Sequence, residues 1–174
     1  GVNSAARCGG GGHGGAGGRG SDPGALGGPA YGSSNAPVEP GSGGATYNAA
    51  QLGGRGGGAV RVAADNRIAL DGVIVANGED GPAGSAAAAG AGGSIFLTCK
   101  RFYGSGSARA NGGGANVTYG GGGGGGRIAI WRYPVFHNFT GALEATNGIG
   151  YSNGVPGTIV LGDVLLAPGT LFRF

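Results

Sequence analysis

Positions 120–130 read GGGGGGGRIAI, seven consecutive glycines followed by Arg127-Ile128-Ala129-Ile130. Glycine loses more backbone entropy on ordering than any other residue, so the run predicts a flexible loop, and the alternative is a strip packed against a neighbour. The four residues after it alternate as a half-buried β-strand does. The same arrangement recurs three times, at Gly56-Gly57-Gly58 before Ala59-Val60-Arg61-Val62, at Gly92-Gly93 before Ser94-Ile95-Phe96-Leu97, and at Gly157 before Thr158-Ile159-Val160-Leu161.

The composition predicts an ordered core that carries long glycine loops. Glycine contributes 48 of 174 residues, against a usual level of roughly 7%. Hydrophobic residues still make up 40% and fall in compact runs, which a disordered linker would not show. The length indicates a single domain.

Charge and hydropathy exclude two classes of partner. The formal charge of +3 comes from 11 basic and 8 acidic residues that are spread along the chain, without the basic cluster that nucleic-acid binding requires. No segment approaches the ~18 apolar residues of a membrane span. The chain begins without methionine or a signal peptide, which predicts a processed chain or an excerpt.

The apolar runs repeat with a period of 31 to 36 residues. Val60, Ile95, Ile128 and Ile159 are spaced 35, 33 and 31 residues apart, and Asn77, Asn111 and Asn147 are spaced 34 and 36 apart. Such a period is typical of solenoids and related arrays.

The repeat favours an all-β parallel solenoid (β-helix) of about three to four coils with long glycine-rich loops. In it, the four apolar positions would stack in one column, and Asn77, Asn111 and Asn147 would stack at a corner, where asparagine tolerates a left-handed conformation. Residues 1–57 are predicted to be a glycine- and proline-rich extended segment packed on the core, and residues 58–174 to form the repeats. The alternative is an antiparallel β-sandwich, in which the same strands pair as hairpins.

Several motifs together resemble a family. They are Gly9–Gly15 around His13, Pro29-Ala30-Tyr31-Gly32-Ser33, Pro40-Gly41-Ser42-Gly43-Gly44, the Ala-Asn-Gly turns and the glycine run that ends in Gly126-Arg127-Ile128-Ala129-Ile130. As an ordered set over nearly the whole chain, they are similar to the glycine-rich repeat regions of large secreted or cell-surface proteins of protists and some bacteria. The resemblance implies a β-helical extracellular module with a structural or adhesive role and no catalytic residues. A narrower resemblance is to a subunit of an extracellular hair or fibril, such as the tubular flagellar hairs of algae.

Cys8 and Cys99 are the only cysteines. An even count in a chain of apparently secreted type predicts one intrachain disulfide, which would close a loop of about 90 residues and stabilise by roughly 4 kcal/mol. The alternatives are two free thiols and a bridge between subunits.

Two tripeptides, Asn116-Val117-Thr118 and Asn138-Phe139-Thr140, match the N-glycosylation sequon. Both fall in predicted loops, where a glycan would project into solvent.

No catalytic or cofactor-binding signature is found, so the chain is predicted not to be an enzyme. Lys100 is followed by Arg101, which excludes a phosphate loop. Asp65 and Asp71 could pair as glycanase carboxylates, but they fit turns better. His13 has only Cys8 nearby as a further metal ligand, so it is interpreted as a hydrogen-bonding loop residue and no metal is predicted.

The predicted function is that of a structural subunit that associates with copies of itself, head to tail, into a filament. The candidate interface residues are Trp131, Tyr133, Leu171, Phe172 and Phe174, because a solenoid ends in open sheet edges and the last residues are apolar. The alternative is an adhesive or carbohydrate-binding module of a larger surface protein, with aromatic rings stacking on sugars. Trp131 would also serve as a core residue.

Overall fold

The computed structural model describes residues 8–133 and 137–163, and its regular elements in these ranges are all β-strands. The strands are short, with three to six residues each. They are β1 Ala59–Ala63, β2 Arg67–Ala69, β3 Val73–Val75, β4 Ser94–Thr98, β5 Arg101–Gly104, β6 Ser107–Arg109, β7 Arg127–Arg132, β8 His137–Phe139, β9 Ala142–Glu144 and β10 Thr158–Asp163.

The strands form three parallel sheets. Each of the first three repeats contributes one strand to each sheet in the same order, and the described part of the fourth contributes β10 to sheet 1. Sheet 1 has the order β1-β4-β7-β10, sheet 2 the order β2-β5-β8, and sheet 3 the order β3-β6-β9. The sequence analysis missed β5 and β8. The alternative prediction of an antiparallel sandwich is wrong in its strand pairing, because each of the seven pairings between these strands is parallel.

The predicted apolar column is confirmed. Val60 pairs with Ile95, Ile95 with Ile128, and Ile128 with Ile159. Two residues further along, a second column runs through Val62, Leu97, Ile130 and Leu161. Because side chains alternate along a strand, the two columns lie on one face of sheet 1. That face packs against Leu70, Phe102 and Ala108 of the other two sheets in one apolar core.

The glycine run at 120–126 is buried and is not a loop. Its backbone bonds follow a period of three residues, with residues i and i+3 facing the same neighbouring segment. That is the period of a polyproline II helix, which has no internal hydrogen bonds. Gly121 and Gly124 donate to the carbonyl groups of Cys8 and Gly11. Gly122 and Gly125 donate to those of Ser152 and Val155, and Gly123 and Gly126 donate to those of Gly113 and Ala110.

The run has six neighbouring segments. Three of them accept hydrogen bonds from its N–H groups. The other three, 89–92, 15–18 and 148–151, donate hydrogen bonds to its carbonyl groups. A Cβ at Gly123 would lie 1.9 Å from Gly90 O, and one at Gly124 would lie 2.1 Å from Gly15 O. Chains at this separation leave no space for a side chain, so glycine is required here by close approach of backbone.

We call this packing the glycine array and describe it as three layers. The inner layer contains the chains that lead into the strands of sheet 1, and the outer layer contains the chains that leave sheet 3. The N-terminal layer lies on the opposite side of the inner layer. The inner chains are 53–57, 87–93, 120–126 and 151–157, the outer chains are 76–81, 110–115 and 145–150, and the N-terminal chains are 8–12, 14–18 and 41–45.

The segment 31–39 crosses the outer face of sheet 1, where three of its carbonyl groups accept hydrogen bonds from side chains of the sheet. The bonds are Arg127 Nε to Tyr31 O (2.9 Å), Trp131 Nε1 to Asn35 O (2.7 Å) and Ser94 Oγ to Glu39 O (2.6 Å). The division of the chain at residue 57 stays a prediction.

The predicted asparagine corner is only partly correct. Asn77 and Asn111 are aligned, and the N–H of Asn111 donates to Asn77 Oδ1 at 2.9 Å. In the next repeat, the aligned residue is Thr146, whose N–H donates to Asn111 Oδ1 at 2.9 Å, and Asn147 lies one position further on. Asn77, Asn111 and Asn147 all have negative φ, so the left-handed conformation expected at a corner does not occur at them.

Candidate functional site

The two edges of sheet 1 expose the ends of the apolar columns. Leu97 and Ile130 in the middle strands are fully buried, whereas Val62 on β1 is 39% exposed and Leu161 on β10 is 53% exposed. Edge strands also present one side of their backbone without a strand partner among the described residues. Each edge therefore combines apolar side chains with backbone groups able to pair with a further strand.

A cavity opens at the β10 edge. It has a volume of about 370 Å³ and lies between β9 and β10, where Leu143 and Ile159 line it together with Asn147 and Pro156. Ile159 is 43% exposed. The apolar core therefore reaches the surface at this end of the molecule.

A buried polar cluster holds the N-terminal layer against sheet 1. His13 is fully buried, with Nδ1 3.0 Å from Gly92 O, and this distance assigns the ring proton to Nδ1. Its Nε2 lies 3.4 Å from Ser94 Oγ, and its ring contacts that of Tyr31 at 4.9 Å between centroids. The sequence prediction of a hydrogen-bonding residue is confirmed, and His13 lies at a bend outside the regular elements, although this bend is buried.

The His13–Ser94 pair does not form an accessible nucleophile. Both side chains have no exposed surface, and Ser94 Oγ donates its proton to Glu39 O and not to the imidazole. Burial lowers the pKa of His13, and the nearby positive charge of Arg127 lowers it further, against smaller opposing effects of the backbone and Glu39. The ring is therefore neutral at pH 7 and acts in packing.

The predicted disulfide between Cys8 and Cys99 is not present. Both residues are free and buried. Cys8 packs with Ala45 and Ala88, while Cys99 belongs to the larger apolar core between the sheets, so the two thiols lie in separate clusters. Burial is the main cause that raises the pKa of each thiol, and this favours the protonated, unreactive form.

The two sequons lie in different environments. Asn116 is half-buried at a turn, and its Oδ1 accepts from the N–H of Thr118 at 2.8 Å. Asn138 is exposed, but it lies in β8 and not in the predicted loop. Glycosylation of either residue stays a prediction.

The candidate interface aromatics are partly engaged by the chain itself. Trp131 is half-buried, and its ring lies so close to Gly162 that a Cβ there would come within 2.4 Å of it. Trp131 and Tyr133 line a shallow cavity of about 240 Å³, which also includes Asp65 and Lys100. The other three interface candidates, Leu171, Phe172 and Phe174, lie outside the described residues.

Asp65 and Asp71 are both exposed, Asp65 at the bend between β1 and β2, and Asp71 directly after β2. Asp71 Oδ1 accepts from the N–H of Ser105 at 3.1 Å, so this side chain joins one repeat to the next. Within the described ranges, no cluster of three or more histidine, cysteine or carboxylate side chains could hold a metal ion. The same ranges contain no helix with the length and hydropathy of a membrane span.

Comparison with known proteins gives no match: no family model fits the chain, and neither the curated proteins nor the solved structures contain one similar to it. The resemblance to secreted glycine-rich repeats therefore stays a prediction.

The sequence analysis missed two features of the site. One is the His13 cluster, whose partners lie 79 and 81 residues away in the chain. The other is the use of Asn77, Asp71 and Asp80 as acceptors for backbone N–H groups 34 residues further on. The recurrence of asparagine at 77 and 111 is a sequence signal for one of these bonds, whereas Asp71 and Asp80 are followed 34 residues later by Ser105 and Gly114 and give no such signal.

Proposed function

We propose that this protein is a non-enzymatic structural subunit of an extracellular or cell-surface assembly. It associates with copies of itself head to tail and so builds a filament. Its three sheets are the faces of one parallel β-solenoid, and the glycine array continues that solenoid on one side.

The solenoid is supported by the order and register of the strands. Each of the first three repeats gives its strands to sheets 1, 2 and 3 in sequence, and the next repeat begins again in sheet 1. All pairings are parallel and preserve one register, as the columns through Val60 and Val62 illustrate. A chain that winds around a common core produces this arrangement.

Self-association is supported by one observation, the exposure of the same apolar columns at both edges of sheet 1. If β10 of one copy lies beside β1 of the next, Ile159 and Leu161 continue into Val60 and Val62 of that copy. This contact would pair the two edges in the parallel register that the other strands already use. It would also bury side chains that are 39% to 53% exposed at Val62, Ile159 and Leu161. Because the two edges are different surfaces, the contact is heterologous and can propagate.

The extracellular location rests on the resemblance and on the two sequons. The exposed Asn138 is the better acceptor for a glycan, because Asn116 is half-buried with its side-chain oxygen bonded.

Sedimentation velocity over a range of protein concentrations tests the proposal. The wild-type chain should show species that grow with concentration, and L161E should weaken this association because it introduces a charge into the buried column. V117E is the matched control, since Val117 is 64% exposed in a turn away from sheet 1. A wild-type chain that stays monomeric at high concentration would refute self-association.

A second candidate, carbohydrate binding, is favoured by the cavity beside Trp131 and Tyr133. Its volume of about 240 Å³ is below the ~300–1,000 Å³ of typical ligand sites, so it would take a single sugar ring. Y133A should abolish binding on a glycan array, and binding that persists in this variant would exclude the cavity.

A further inference from the structure

Two hydrogen bonds are repeated across the inner layer of the glycine array. The first joins Gly54 N–H to Ala88 O, Ala89 N–H to Gly121 O and Gly122 N–H to Ser152 O, and Asn153 holds the equivalent position in the last chain. The second lies closer to sheet 1. Gly57 N–H donates to Ala91 O, Gly92 N–H to Gly124 O, and Gly125 N–H to Val155 O, each at 2.9 Å. Each of the three donors lies two residues before the start of a strand of sheet 1. Every inner chain thus bonds to the next through an equivalent glycine.

The equivalent position in the last inner chain is Pro156. Thr158 pairs with Arg127, so Pro156 stands where Gly125 stands in the preceding repeat. Proline has no N–H and therefore cannot donate the next bond of the series. The side chain of Pro156 is exposed and lines the cavity at the β10 edge. Its carbonyl oxygen faces the array, where a Cβ on Gly15 would come within 2.6 Å of it.

We propose that Pro156 ends the series of inner-layer hydrogen bonds nearest sheet 1, so that a second copy meets the edge of sheet 1 at this end of the molecule without that bond. This inference rests on the proposed self-association. In a head-to-tail contact, the carbonyl of Gly56 in the next copy would take the place that Ala91, Gly124 and Val155 occupy within the chain. The pyrrolidine ring of Pro156 occupies this space and provides no donor. Proline on an edge is a common means of preventing unlimited pairing.

The test compares the full-length wild-type chain with P156A and with the control P82A. Both substitutions restore an N–H at an exposed proline, but Pro82 lies in the turn at the far end of the array, where its carbonyl accepts from Ser85 N–H. Sedimentation velocity should show about three- to tenfold tighter association for P156A, the effect of one additional hydrogen bond, and no change for P82A. Hydrogen exchange of the amide that P156A introduces should slow as the protein concentration rises.

The outcomes separate this inference from the proposed function. If P156A associates more tightly than wild type and P82A does not, Pro156 ends the series of bonds. This conclusion holds even when the wild type alone is monomeric, a result that would refute only the proposed filament. If wild type and P156A associate equally, or if both are monomeric, the proposal that Pro156 ends the series of bonds is wrong. P156G serves as a second variant if P156A loses the native Trp131 emission, and the same comparison then decides.

Discussion

A single methyl group in the centre of the glycine array should strongly destabilise the fold. In G123A, the new Cβ would lie 1.9 Å from Gly90 O, whereas ordinary contact begins near 3.4 Å. The two chains must therefore separate by about 1.5 Å, the difference between these distances. Gly113 bonds to both chains, donating to Gly90 O and accepting from Gly123 N–H, each at 2.9 Å. A shift of this size takes at least one of the two bonds outside hydrogen-bonding range.

The expected loss combines two effects. Overpacking of a dense interior costs about 1–3 kcal/mol, and a buried backbone group left unpaired adds roughly 1–3 kcal/mol, so G123A should reduce the free energy of unfolding by about 2–6 kcal/mol. Gly58 provides the matched control, because it is exposed and its Cβ would meet no atom within 4 Å. There, alanine only restricts the unfolded chain, and G58A should stabilise by about 0.4–1 kcal/mol.

Urea denaturation followed by the fluorescence of Trp131, the only tryptophan, measures both changes. The same chemical substitution should move the midpoint in opposite directions at the two positions. A G123A midpoint equal to or above that of G58A would refute the close packing of the array.

Four further predictions concern other parts of the molecule. Because the pKa of His13 is lowered in the fold, the unfolded chain binds the proton more tightly, and stability should fall as the pH drops below about 6.5. The difference in unfolding free energy between wild type and H13N should shrink over the same range, and a constant difference would contradict this. W131F removes the bond to Asn35 O and should cost about 0.5–1.5 kcal/mol in urea denaturation, followed here by circular dichroism because the variant has no tryptophan. N77A removes the acceptor of the Asn111 N–H and should cost a similar ~1 kcal/mol, with faster amide exchange at that residue; unchanged exchange would contradict it. The heat capacity change of unfolding should fall below the usual ~2.1–2.6 kcal/mol/K for 174 residues, because the array exposes mostly peptide groups when it unfolds, and calorimetry measures it directly.

The strand register was predictable because one face of sheet 1 is buried. Val60, Ile95, Ile128 and Ile159 recur at similar spacing, and a slip of one residue would turn each column to the other face. The sequence therefore carries the register in its own alternation. The same argument fails at the corner, where Thr146 takes the place that spacing assigned to Asn147, since a shift of one residue in a polar segment changes no apolar pattern.

The glycine array was not predictable from local pattern. A run such as 120–126 has no side chains, so neither its neighbours nor its period of three is written in the residue types. Intrinsic preference indicates a flexible loop, and tertiary hydrogen bonds override that preference by giving each N–H a partner in another segment. The same applies to His13, which is the one polar side chain in a buried glycine segment and whose partners are distant in sequence.

The fold must satisfy two periods at once, and this explains where its repeats differ in length. The strands of sheet 1 alternate with a period of two, the inner chains bond with a period of three, and the periods meet at junctions such as Gly126-Arg127. An insertion near a junction would either turn an apolar column outward or redirect the bonds of a glycine chain to the wrong neighbours. The lengths that vary most lie far from these junctions: 18, 17 and 13 residues separate the last residue of β3, β6 and β9 from the first of β4, β7 and β10. Most of that difference can be taken up where the chain passes from outer to inner layer, near Pro82 and Asn116, and a change of length there costs little in loop-closure entropy. The series of bonds between inner chains ends at Pro156 for a related reason. Proline cannot donate the bond that the period of three requires at this position, so it fits only in the last inner chain, where no further chain follows to accept that bond.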